Sequence, residues 1–160
     1  MPCMYYPPAD LDDLEEEAES ARPGHQKIPL EAVADIFNSN QVVYGLMGGM
    51  NFYLRGSGRA TQDVDIAVSN GAPSLEVALT LLNPDDRITR PRNKMSWVGG
   101  VARTFVRVGG QQVQIDLKAQ STEGHGMPPD LFAATELIRI RSGGTPIRLL
   151  TVGPLVKAKF

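Results

Sequence analysis

The segment Asp63-Val64-Asp65-Ile66-Ala67-Val68 alternates acidic and apolar side chains before it turns fully apolar. A strand sends successive side chains to opposite faces, so Val64, Ile66 and Val68 share one face while Asp63 and Asp65 share the other. Carboxylates two residues apart on a strand lie roughly 7 Å apart at Cα, close enough to converge on a shared hard cation. The pattern recurs further on: Val113, Ile115 and Leu117 occupy one face of Gln111 to Lys118, and Gln112, Gln114, Asp116 and Lys118 the other. Gly109-Gly110 joins this stretch to Ala102 to Val108 as an antiparallel hairpin. A half-buried sheet satisfies both patterns, and if the second strand lies beside the first, Asp116 joins the two acids.

The remaining elements read as helices and strands in alternation. Leu30 to Phe37 has apolar residues at helical spacing and ends at Asn38-Ser39-Asn40. Gln41 to Met47 is a strand, Gly48-Gly49 turns into a short helix over Met50 to Leu54, and Arg55-Gly56-Ser57-Gly58-Arg59 is a second glycine-rich connection. Ser74 caps an apolar helix running to Leu82. Residues 83–100 read as irregular, Gly124 to Pro129 as a loop, Asp130 to Ile140 as a helix and Thr145 to Thr151 as a last strand. Leu155 to Phe160 resembles a helix start. The fold class implied is α/β (α+β), a mixed sheet flanked by helices.

The first 28 residues are set apart as a flexible or briefly helical lead-in, leaving 29–160 as the domain. Residues 1–20 hold seven acids and no bases. The chain has a formal charge of −2, yet outside this stretch sixteen bases face eleven acids, a balance of +5. Arg87, Arg90, Arg92, Lys94, Arg103 and Arg107 follow one another with no acid between them, a set able to face phosphates or to form a solvated face. The acidic run reads as a solvated face, or as an autoinhibitory arm over this basic set. At 160 residues the chain suits one domain that buries roughly 70% of its unfolded surface. One cysteine, Cys3, excludes an internal disulfide and a cysteine-rich zinc site. No stretch reaches the roughly 20 apolar residues of a membrane span, and no secretory signal is legible, so a cytoplasmic location is expected.

Three carboxylates brought together without a cation repel one another, whereas one or two Mg²⁺ ions turn them into a site for phosphoryl or nucleotidyl transfer. Gly48-Gly49, between a strand and a helix, lets backbone amides approach a phosphate at the positive end of the helix. Arg55 and Arg59 are candidates to neutralise a triphosphate, and Thr61 to brace the loop through a hydroxyl-to-backbone bond. The competing reading makes the acids the solvated edge of a half-buried sheet. His25 and His125 lack metal-ligand spacing, Cys3 has no base nearby, and Trp97 reads as a core or loop anchor.

The segment from Gly45 to Ile66, with its glycine pair opening a helix, Arg59-Ala60-Thr61-Gln62-Asp63-Val64-Asp65 and a third aspartate on a later strand, resembles the DNA polymerase β-type nucleotidyltransferase superfamily. The small branches of AbiEii-like abortive-infection toxins and antibiotic-modifying nucleotidyltransferases are nearest in character. The resemblance implies a nucleotidyltransferase fold and Mg²⁺ held by Asp63, Asp65 and Asp116, with Asp116 helping to deprotonate the acceptor. It also implies an NTP such as ATP cradled by Gly48 and Gly49, with Asn51, Arg59 and Thr61 beside it and Lys159 opening the following helix. The implied reaction moves a nucleoside monophosphate to a hydroxyl of RNA, a protein or a small molecule. A catalytically incomplete nucleotide-binding regulator is the alternative. Gly49 and Asn51 depart from the usual serine or small residues at these positions. Relatives continue beyond the position of Phe160, so a protein partner or second copy completing that side is a further expectation.

Overall fold

The computed structural model describes residues 2–58, 61–71, 73–120, 128 and 130–154. Strands β1 (Met4–Tyr6), β2 (Tyr44–Met47), β3 (Asp63–Val68), β4 (Ile88–Pro91), β5 (Val101–Val108), β6 (Gln111–Ala119), β7 (Thr135–Arg139) and β8 (Pro146–Leu150) form one eight-stranded sheet. Their order is β1-β4-β5-β6-β3-β2-β8-β7, with β1/β4, β3/β6 and β2/β8 parallel and the other neighbours antiparallel. Helices α1 (Leu11–Ala18), α2 (Pro23–Ser39), α3 (Gly48–Leu54) and α4 (Leu75–Thr80) flank the sheet, with short 3-10 turns at Pro8–Asp10 and Lys94–Ser96. The fold is thus the mixed α+β sheet expected.

One face of the sheet carries the main core. Leu30, Val33 and Phe37, spaced for one face of α2, pack with α4's Leu75 and Leu79 onto Val64, Ile66, Val113, Ile115 and Leu117. Each such fully buried aliphatic or aromatic side chain contributes about 1.5–3 kcal/mol. The opposite face holds two small clusters, Tyr6, Ala18 and Phe105 under α1, and Met47, Ala67, Leu131 and Leu150 beside β2 and β8. Asp63, Asp65 and Asp116 lie on this second face.

Several boundaries differ from the sequence reading. The acidic lead-in is built into the domain: β1 pairs with β4, Tyr6 donates to the Arg103 carbonyl at 2.7 Å and meets Phe105 edge-on, and Ala18 and Ala21 are buried. Helix α2 starts at Pro23, across the 28/29 division, with Pro at its first turn where a missing N–H costs nothing. Residues 83–100 contain β4, whose proline stands at its last position. The helix expected over Asp130 to Ile140 is instead a turn followed by β7. Glu136, Leu137 and Arg139 are good helix formers, but the edge of β8 offers a five-residue antiparallel ladder from Thr135↔Leu150 to Arg139↔Pro146, and the pairing prevails over propensity. The expected loop at Gly124 to Pro129 falls mostly, and the helix start at Leu155 to Phe160 wholly, outside the described residues.

Candidate active site

Register brings the acids together. Parallel pairing sets Asp65 opposite Asp116 and Asp63 opposite Gln114, so β3 and β6 present their polar residues side by side. One oxygen from each of Asp63, Asp65 and Asp116 lies within 4.8 Å of the others. Asp116 is 6% exposed, and burial, with the charges of Asp65 and Asp63, pushes its carboxyl up to about 7. Gln114 opposes that shift by donating its Nε2 to Asp116 Oδ1 at 3.0 Å. Asp65 is pushed up to about 6, again first by burial and then by Asp63, while Lys118 Nζ, 3.6 Å from its Oδ1, pulls the other way. Three hard oxygen donors crowded together, two of them raised first by burial and then by neighbouring acids, suit a divalent cation, whose charge offsets both costs.

The glycine turn abuts this cluster. Gly48 opens α3 at φ 69°, and a Cβ there would lie 2.5 Å from Asp65 Oδ2. A Cβ on Gly49 would lie 2.9 Å from Thr61 Oγ1. A side chain at Gly48 would strain the left-handed backbone and displace Asp65, one at Gly49 would displace Thr61, and the Gly48 backbone lies directly against Asp65. Thr61 braces the entry to β3 as expected, its hydroxyl donating to the Asp63 carbonyl at 2.9 Å, while the buried Gln26 donates to the Thr61 carbonyl at 2.6 Å. Asn51 is placed differently. It is fully buried, its Nδ2 donates to the carbonyls of Leu46 and Leu150, and its Oδ1 accepts from Arg55 Nε. It ties α3 to the ends of β2 and β8. Arg55, also bonded to the Leu150 carbonyl and paired with Glu136 at 2.7 Å, belongs to the same brace. Arg59 and Lys159 lie outside the described residues.

Sequence reading missed four residues beside the acids: Gln114 and Lys118 as their direct partners, and Gln62 and Arg103 in the lining of the adjoining cavity. The signal for two of them was register, since Arg103 pairs with Asp116 across β5/β6 and Gln114 with Asp63 across β3/β6. The basic run does not form one patch. Arg87 pairs with Asp85, Lys94 with Glu76, Arg103 with Glu15 and Arg107 with Glu17, while Arg90 and Arg92 flank the Tyr5 ring. Helix α1 thus covers two members of the set with its own carboxylates.

No family model matches the chain, and no curated protein matches it either. Among solved structures, the chain is similar to an antigenic nucleotidyltransferase-like protein from Paracoccidioides brasiliensis, with a TM-score of 0.60 and 17% identity. That match covers 98% of this chain and 66% of the other, so the chain spans just under two thirds of that relative's length. It is also similar to a Thermotoga maritima protein named provisionally as a nucleotidyltransferase, with a TM-score of 0.53, 14% identity, and 88% and 86% of the two chains covered. The fold is therefore a nucleotidyltransferase-like one, built from an eight-stranded mixed sheet with flanking helices. No helix among the described residues is long and apolar enough to cross a membrane.

Proposed function

We propose that the protein is a Mg²⁺-dependent nucleotidyltransferase that moves a nucleoside monophosphate from an NTP to an acceptor hydroxyl. The observation that carries this reading is the convergence of Asp63, Asp65 and Asp116 beside a glycine turn whose backbone lies against Asp65. Asp63, Asp65 and Asp116 would hold Mg²⁺, which supplies charge neutralisation for the triphosphate and for the oxygens that gain charge during transfer. The backbone of Gly48 and Gly49 holds the phosphates of the donor. Asp116, on the flank away from the glycine turn, helps take up the acceptor's proton. A bond forms between the acceptor oxygen and the α-phosphorus, the bond from that phosphorus to the bridging oxygen breaks, and pyrophosphate leaves. Asn51 and Thr61 support this machinery from behind; Arg59 is proposed from the sequence resemblance alone.

Of the acceptor classes named from the sequence, charge placement weighs against a long polyanion such as RNA. Each member of the Arg87 to Arg107 set already has a carboxylate or an aromatic partner, and α1 sets acids beside the site. A toxin or defence role and a partner on the C-terminal side are proposed from the resemblance, and a cytoplasmic location from the sequence reading of its apolar stretches. The test is incubation of the purified chain with each α-³²P-labelled NTP, Mg²⁺, and separate RNA, protein and small-molecule fractions of a cell extract. Label transferred by the wild type and not by Asp63→Ala/Asp65→Ala is expected. Metal-dependent nucleotide binding with no transfer in any fraction would leave a regulatory binding module instead.

A further inference from the structure

The triad has two flanks of different chemistry. On the β2 side stands the glycine turn, its backbone against Asp65. On the β5 side a cavity of about 260 Å³ opens between the acids and α1, lined by Asp63, Asp116, Gln62, Gln114, Arg103, Glu15 of α1 and Glu19 just past its end. In phosphoryl transfer the attacking and leaving oxygens stand roughly in line across the phosphorus. A donor whose phosphates rest on the glycine turn therefore receives its acceptor from the opposite flank, over Asp116 and into this cavity.

Arg103 is the one cation among the described residues that line the cavity. It stands directly across the β5/β6 ladder from Asp116. Its Nη1 donates to Glu15 Oε2 at 2.8 Å, while its Nε is buried and has no partner. A guanidinium offers a planar fork that takes an oxyanion through two parallel bonds. Here the fork is engaged at one nitrogen by a carboxylate on a short helix, and a buried donor is left over. An unsatisfied buried donor is costly, and a ligand oxygen that reaches it recovers that cost.

Resting on the transferase reading above, we infer that Arg103 anchors a compact oxyanion, a carboxylate or phosphate group, carried by the acceptor close to its reactive hydroxyl, and that Glu15 occupies this anchor until the acceptor displaces it. The substrate class is then a small hydroxylated molecule with one such group. A chain of phosphates is disfavoured, because Glu15 and Glu19 line the cavity around the anchor.

The test uses the full chain with Mn²⁺ and a non-hydrolysable NTP analogue bound, and titrates inorganic phosphate, acetate and a twelve-nucleotide single-stranded RNA by calorimetry. Wild type, Glu15→Gln, Arg103→Gln and Arg103→Lys are compared, with circular dichroism and melting curves confirming that each is folded. Glu15→Gln should tighten phosphate or acetate binding about three- to tenfold, the span of a partly exposed ion pair. Arg103→Gln should abolish it, and Arg103→Lys should keep part of it. Whichever probe responds identifies the anion. Phosphate and acetate binding that ignores Arg103, or phosphate that competes with the analogue, overturns the anchor, as does RNA that binds more tightly than either in an Arg103-dependent way. Mn²⁺ and analogue affinities come from the same samples: if these are absent the transferase reading fails, whereas if they are normal and the anion is not bound only the anchor fails.

Discussion

Replacing Asp116 by Asn should make the metal-free protein more stable while destroying its metal site. Two unit charges at 4.8 Å, the outer limit of spacing in the cluster, repel by roughly 3 kcal/mol at an effective dielectric constant of about 20. A carboxyl held at about 7 instead of 3.8, first by burial and then by its acidic neighbours, carries roughly 4 kcal/mol against its charged form at high pH. Asn keeps an oxygen for the Gln114 Nε2 bond and carries no charge. It also forfeits attraction to Arg103, so the net gain at pH 8 should be nearer 1–3 kcal/mol. For a chain of this size that corresponds to about 2–4 °C in Tm for each kcal/mol. Calorimetric melts in EDTA at pH 8 should place the variant several degrees above the wild type, and the difference should shrink as pH falls through 7 and vanish only below about pH 4, where the unfolded chain's carboxyl also holds its proton. In excess Mn²⁺ the order should reverse. A ligand at one hundred times its Kd stabilises the protein that binds it by about 2.7 kcal/mol, and the variant forgoes this. A variant that melts at or below the wild type in EDTA at pH 8 would refute the reasoning that the metal-free cluster stores repulsion.

The same raised carboxyls set a pH dependence. Asp116 and Asp65 hold protons in the folded state that the unfolded chain has released, so metal-free stability should fall as pH rises from about 4 through 7. Mn²⁺ affinity, followed by electron paramagnetic resonance, should rise over the same range, and a flat profile would count against protonated acids in the site. Gly48→Ala should cost about 1–2 kcal/mol for the left-handed backbone alone. Its methyl group also displaces Asp65, so denaturant melts and Mn²⁺ titration should both register the change. Asn51→Ala removes a fully buried amide that bridges Leu46, Leu150 and Arg55 and should cost about 1–3 kcal/mol. Mn²⁺ affinity of the folded variant should stay at the wild-type value, and a matching loss there would place Asn51 closer to the chemistry than its hydrogen bonds do.

Much of the site was legible because its signals are local. The period-two alternation in Asp63 to Val68 and in Gln111 to Lys118 assigns each acid to a face whatever surrounds it, and both strands form as read. Ser74 accepts from the Val77 amide and Gly109-Gly110 turns the hairpin, since caps and turns depend on neighbours in sequence. The bracing bonds of Asn51 were not legible, for the opposite reason. A polar residue just inside a glycine-opened helix looks the same whether it faces a ligand or the ends of two strands, and only the arrival of Leu150 from 99 residues away decides between them.

By itself, then, the sequence determined which residues share a face, where the chain turns, and that carboxylates and glycines of the right kinds exist. Those properties follow from backbone sterics and from the period of a strand. The tertiary structure decided which strands are neighbours. Parallel pairing of β3 with β6 converts three separated acids into one cluster, and the free edge of β8 draws Glu136 and Leu137 out of a helix and into a ladder. It also folded the acidic lead-in over β5 and β6, where Glu15 and Glu17 meet Arg103 and Arg107. Pairing partners far apart in sequence are selected by how the whole apolar surface is buried, a global sum that no local window contains.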